Sequence, residues 1–165
     1  MASQANDLTL PDVAELTDAF YIGGTKNGAM FGEALVITNP ALQKDFFRVQ
    51  KQRGAVMAKG WLLGLQFKAL LKDGLYFKIA KHAVETAQYL QGGLKNLGIP
   101  MMVDSPTNQI FPIVPNSLLP QLDKLCTYEV WGKADEGHTV VRFVTSFATP
   151  LDSVEGFLRT LKDIA

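Results

Sequence analysis

The chain has 165 residues and a mass of 18.1 kDa, enough for one ordinary domain with a proper core. Hydrophobic residues make up 47% and charged ones 19%, with a mean hydropathy of +0.08, which excludes disorder and predicts that much surface is buried against something. Sixteen Lys and Arg balance sixteen Asp and Glu, and the pI is near 6.7, so no electrostatic footprint for nucleic acid or an anionic membrane is present. Cys126 is the only cysteine, which excludes an internal disulfide and suits a reducing compartment. The opening Met1–Asp7 carries neither a basic nor an apolar leader segment, and no apolar stretch is long enough to span a bilayer. The expectation is a folded, cytoplasmic chain.

In chain order, Leu10 to Leu16 reads as a short helix with proline at its first position and acids in its first turn. Ala19–Ile22 and Glu33–Ile37 are apolar runs separated by Gly23-Gly24-Thr25-Lys26-Asn27-Gly28, the pattern of strand, glycine turn and strand. Neither run alternates cleanly, so both are expected to be covered on two faces, like the torn edge of a larger sheet. From Leu42 to Leu71 apolar residues return at helical spacing, although Gly54, Gly60 and Gly64 interrupt the run and predict a kink or a close backbone approach. A second helix carries Phe77, Ala80, Val84, Ala87, Leu90, Leu94 and Leu97 on one stripe and ends at Gly98 and Pro100.

Beyond Pro100 the period changes. Gln109–Val114 reads as a strand whose Pro112 favours an edge or a bulge, and Ser117–Leu125 as a short helix. Tyr128–Trp131 and Thr139–Val144 form two strands joined by a turn at Asp135–His138. A last helix is expected to start from an Asp152 cap with Glu155 completing a capping box. The second half is therefore a small α+β unit with a largely antiparallel sheet.

Two residues stand out chemically. Lys26 lies between glycines at the end of an apolar strand; a half-buried ammonium there is an amine nucleophile for an aldehyde, and Thr25 beside it offers a hydroxyl to an anion. The alternative is a solvated lysine in a glycine turn. Arg142 sits in the otherwise apolar row Val140, Arg142, Val144, where a guanidinium needs a planar carboxylate; no obvious partner stands nearby in sequence, which points to a ligand's carboxylate or else to an arginine snorkelling into solvent. Among Arg48, Lys51, Arg53 and Lys59, normally a solvated helix face, Arg53 beside Gly54 is the one placed to reach a phosphate. His82 and His138 lack partners at metal-ligand spacing, so no metal site is expected, and Cys126 at a helix end reads as structural.

The segment Asp18-Ala19-Phe20-Tyr21-Ile22-Gly23-Gly24-Thr25-Lys26-Asn27-Gly28-Ala29 resembles the lysine segment of the threonine aldolase and β-eliminating lyase family, with low-specificity L-threonine aldolases as the nearest branch. The likeness continues through Gln50–Ala55, Leu75-Tyr76-Phe77 and Val141–Ser146, although Phe147 stands where many relatives have tryptophan. These are pyridoxal-phosphate enzymes of the aspartate-aminotransferase fold, and the resemblance covers their C-terminal portion. It implies an α/β to α+β architecture: residues 1–40 as the edge of the large cofactor-binding domain, 41–98 as connecting helices and 99–165 as the small domain. It also implies Lys26 as the lysine that holds the cofactor and Arg142 as the clamp on the substrate carboxylate. Thr25 and Arg53 are further cofactor contacts by the reading of their surroundings. The family reaction is retro-aldol cleavage of a β-hydroxy-α-amino acid to glycine and an aldehyde. The phosphate loop, ring-stacking side chain and aspartate partner of the pyridine nitrogen belong to the family's first half, with no match in Met1–Leu16, so the isolated chain is expected to be a partial, poorly active member. The rival expectation is a non-catalytic chain that works by association, with its own kind or with an N-terminal half.

Overall fold

Thr9 starts the first helix by accepting from the Asp12 N–H at 3.4 Å, while the Asp12 carboxylate accepts from the Thr9 N–H at 2.7 Å. This reciprocal box opens α1, Leu10–Leu16, over the expected span, and the Thr9 hydrogen bonds hold the Asp12 carboxyl below its ordinary value. A computed structural model describes residues 5–164. The opening Met1–Asp7 thus falls mostly outside the described residues. The chain divides into two compact units, one of Asn6–Ile79 and one chiefly of Ala80–Ala165. No helix among the described residues is long and apolar enough to cross a membrane.

In the first unit, β1 (Ala19–Gly23) and β2 (Glu33–Ile37) pair antiparallel, Phe20 against Val36 and Ile22 against Ala34. These residues share a small core with Phe67, Leu70 and Tyr76. The alternate residues Tyr21 and Leu35 face out and are exposed. Within this chain the strands are therefore covered on one face, not two, because a two-stranded ribbon has only one packed side here.

The run expected as one helix from Leu42 to Leu71 is three: α2 (Pro40–Gln43), α3 (Phe46–Gln52) and α4 (Trp61–Leu71). Gly54 accounts for the main break. At φ +70° it takes the left-handed conformation, and the Gly54 and Ala55 N–H groups donate to the Lys51 and Gln50 carbonyls, closing α3 as glycine closes many helices. Gly64 is carried inside α4 with open space where a Cβ would stand, so no close approach explains it.

Helix α5 (Leu75–Asn96) buries Ala80, Val84, Ala87, Leu90 and Leu94 of the expected stripe, Phe77 is half-buried and Leu97 lies just past the helix end, and Gly98 follows at φ +81°. The second unit is built around β6 (His138–Val144). β3 (Gln109–Ile110) and β4 (Ile113–Pro115) pair along successive stretches of it, and β5 (Glu129–Lys133) pairs with it as well. The strand expected over Gln109–Val114 is split at Phe111-Pro112, where proline has no N–H to give; the Pro112 carbonyl still accepts from the Val141 N–H at 3.1 Å. Helices α6 (Leu119–Leu125) and α7 (Leu151–Ile164) complete the unit. Helix α7 starts one residue before the expected cap, so Asp152 lies in its first turn and accepts from the Ser153 N–H at 2.8 Å.

Leu94, Ile110, Leu122, Val141 and Leu161 form the centre of this second core, each almost fully buried. Tyr128, Phe143 and Phe157 line up edge to face beside it, with centroids 6.1 and 5.7 Å apart. Burying a side chain such as Leu94 stabilises the fold by roughly 1.5–3 kcal/mol.

Candidate functional site

The glycine turn after β1 is a single 3-10 turn, Thr25–Asn27, capped by Gly24 and by Gly28 at φ +100°. Gly24 is required by space: a Cβ there would stand 2.8 Å from the Gly32 carbonyl oxygen and from the Ala29 Cβ, and 2.9 Å from the Phe67 ring. Asn27 points inward and is 3% exposed, its Nδ2 donating to the Tyr76 carbonyl at 2.8 Å. The Tyr76 hydroxyl in turn donates to the Gly23 carbonyl at 2.7 Å, and burial raises its pKa. The Asn27 N–H and Ala29 N–H both donate to the Gly24 carbonyl, at 2.9 and 3.0 Å. With its neighbour anchored inward, Lys26 is turned outward.

Lys26 is exposed rather than half-buried, and Thr25 beside it is exposed too. The reason is local: in a one-turn 3-10 segment, consecutive side chains diverge, and Asn27 takes the inward place. No hydrogen bond or ion pair engages the Lys26 ammonium among the described residues. Arg53, in the same unit, is the exposed residue that caps α3 just past its end, its backbone N–H donating to the Val49 carbonyl. Arg142 belongs to the other unit.

Arg142 has an internal carboxylate partner that the sequence reading does not find. Its Nη2 donates to Glu129 Oε2, its Nη1 donates to Gln109 Oε1 at 3.3 Å, and the guanidinium lies 5.3 Å from the centre of the Trp131 ring. Its Nε is buried and has no partner among the described residues. A β-bulge creates this arrangement. Counting back from the turn, Lys133 faces Thr139 and Gly132 faces Val140; a regular ladder would then place Val130 opposite Arg142. Trp131 is the extra residue, so the pairing resumes with Val130 opposite Val141 and Glu129 opposite Arg142. An odd residue in one strand leaves no mark in composition or period.

Elsewhere, His138 binds Asp135 through Nδ1 at 2.9 Å, and that bond lowers the Asp135 pKa. His82 faces the Thr149 carbonyl at 2.9 Å. No group of three His, Cys, Asp or Glu able to hold a metal ion occurs among the described residues. Cys126 ends α6, half-buried; burial, with the Asp123 charge adding to it, pushes its thiol pKa up.

No family model matches the chain. It is 36% identical over 104 residues to a low specificity L-threonine aldolase of Pseudomonas sp. (strain NCIMB 10558), covering 59% of this chain and 30% of that protein. With the protein of the same name from Pseudomonas aeruginosa it shares 26% identity over 151 residues, 88% of this chain and 41% of the relative. The solved threonine aldolase of Leishmania major superposes with a TM-score of 0.90 at 45% identity, covering 96% of this chain and 46% of that one. The chain thus spans less than half the length of each of these relatives.

A lysine turn on an antiparallel ribbon, a long helix and a helix-backed antiparallel sheet have the fold of the C-terminal portion of a fold-type-I pyridoxal-phosphate enzyme. Within that class the chain is related to the threonine aldolases, over their C-terminal portion. Pyridoxal phosphate needs a reachable amine, and Lys26 fits: its turn is fixed by Gly24, Asn27 and Tyr76, while its own side chain has no internal partner among the described residues.

Proposed function

We propose that this chain supplies the cofactor lysine and the carboxylate-binding arginine of an aldolase that cleaves a β-hydroxy-α-amino acid to glycine and an aldehyde. The observation that carries the reading is Lys26, exposed on a turn whose backbone is pinned from within. Bound pyridoxal phosphate would supply the electron sink for breaking the Cα–Cβ bond. Lys26 presents a primary amine to its aldehyde carbon, and the Thr25 hydroxyl beside it is available to an anionic oxygen. Arg53 contributes positive charge toward phosphate. Arg142 orients the amino acid through its carboxylate, for which a planar guanidinium is the best geometric match. The 165 residues alone hold the cofactor weakly, since a lysine open to water gains little from imine formation without further anchors.

The test is complementation. The chain is co-expressed with the N-terminal half of the Leishmania major relative, and glycine release from threonine is measured. Activity that vanishes with Lys26→Ala, and amino-acid affinity that falls about tenfold or more with Arg142→Lys, support the reading; full activity in Lys26→Ala removes it.

A second reading, a chain that acts through association, draws on the exposed apolar side chains Met30, Phe47, Trp61 and Leu65. A second copy or an N-terminal half would serve equally as the partner, and the mass in solution with and without that half separates the two.

A further inference from the structure

The surroundings of Arg142 carry a device that the proposed reaction does not by itself require. The guanidinium is held from three directions by three residues of two neighbouring strands: Gln109 of β3 at Nη1, Glu129 of β5 at Nη2 and the Trp131 ring of β5 against its plane. Their exposures differ sharply. The Arg142 side chain is 24% exposed, whereas that of Glu129 is 66% exposed. The cation is thus built into the sheet, and its anionic partner reaches it from the water side.

The pairing is also incomplete. Nε and Nη2 lie along one edge of a guanidinium, the edge that a carboxylate takes with two parallel hydrogen bonds. Glu129 uses Nη2, and Nε of the same edge is buried without a partner among the described residues. We infer that Glu129 is a built-in placeholder: it fills the carboxylate seat of Arg142 when no ligand is present and is displaced into water by the carboxylate of an incoming amino acid. This inference rests on the proposed role of Arg142 and adds the residue that competes for it.

The physics makes the exchange easy. Glu129 regains its full hydration when it leaves, because it is already mostly exposed, and an exposed ion pair is weakly held. Arg142 does not lose its place, since Trp131 and Gln109 remain against it. The arriving carboxylate can engage both donors of the edge where Glu129 engages one. Between ligands, the placeholder keeps a partly buried cation neutralised, which avoids the cost of leaving it unpaired. The device weakens carboxylate binding in exchange, because each ligand must first replace an internal anion.

The experiment uses the 165-residue chain and acetate as the probe, titrated at constant ionic strength against chloride. The readout is the Arg142 Nε–H resonance, assigned by its loss in Arg142→Lys, with a thermal melt to show that each variant is folded. Glu129→Gln removes the competing charge and keeps the side-chain shape. The half-saturating acetate concentration is expected to fall up to about fivefold in Glu129→Gln, the range that an exposed ion pair sets. Equal affinity in the two proteins, or weaker binding in the variant, overturns the placeholder while leaving Arg142 as a carboxylate seat; weaker binding would make Glu129 a residue that orients the guanidinium. No acetate response in either protein overturns the seat itself, and the inference with it.

Discussion

Asn27 and Tyr76 clamp the lysine turn through two crossed hydrogen bonds, Asn27 Nδ2 to the Tyr76 carbonyl and Tyr76 Oη to the Gly23 carbonyl. The residues flanking Lys26 are thus tied to the start of α5, a contact far away in sequence. Replacing Asn27 by Ala leaves the buried Tyr76 carbonyl without this donor, and Tyr76→Phe does the same to Gly23. Each change should cost roughly 1–3 kcal/mol in urea unfolding. Losses under about 0.5 kcal/mol for both would mean that the turn holds without the clamp.

Lys26 should behave in the opposite way. Its side chain is exposed and makes no bond to the other described residues, so Lys26→Ala is expected to leave stability within about 0.5 kcal/mol. Pyridoxal phosphate added to the isolated chain should give no stable absorbance near visible wavelengths. A strong band that borohydride fixes on Lys26, located by peptide mass, would contradict the weak holding proposed for these residues alone.

Gly24 has no room to become anything else. The added methyl group of Gly24→Ala would press on the Gly32 carbonyl, the Ala29 side chain and the Phe67 ring at once, and backbone cannot step aside cheaply. A loss of about 1–3 kcal/mol is expected, the usual cost of overpacking, read as a lowered unfolding midpoint in urea. An unchanged midpoint would show that the β1–β2 turn is looser than its contacts imply.

Tyr128 gives a pH dependence with a definite sign. Its hydroxyl donates to Asp123 at 2.6 Å, and that bond lifts its pKa from 10.0 to about 12. A raised pKa in the folded state favours folding while the phenol is neutral, so the contribution is complete below pH 10 and fades between pH 10 and about 12. Tyr128→Phe should remove that part of the alkaline loss in unfolding experiments, with the lysine contribution common to both proteins. Parallel stability curves for the two proteins above pH 10 would rule it out.

Cys126 should be a slow thiol. Burial and the Asp123 charge both oppose the thiolate, so its alkylation at neutral pH is expected to run well below that of a free cysteine and to accelerate on unfolding in urea. Modification as fast in the folded chain as in the unfolded one would refute the burial.

Much of the architecture was legible in order along the chain, because helices and strands write their packing into short periods. The α1 span, the apolar stripe of α5 with its Gly98 stop and the strand pair around Asp135–His138 all follow from local pattern. Lys26 and Arg142 stood out for the same reason: a charge among glycines or valines breaks a pattern that can be read directly. Local pattern failed where a single residue changed the outcome. Periodicity ran straight through Gly54, whose left-handed backbone ends α3, and the inward place taken by Asn27 sent Lys26 out to water. Above all, only the folded sheet could disclose that Trp131 is an extra residue in β5 and that Glu129 therefore faces Arg142. Short-range spacing decides which elements form, since it acts through neighbouring side chains; which charge meets which is set by register between strands, and register belongs to the tertiary structure.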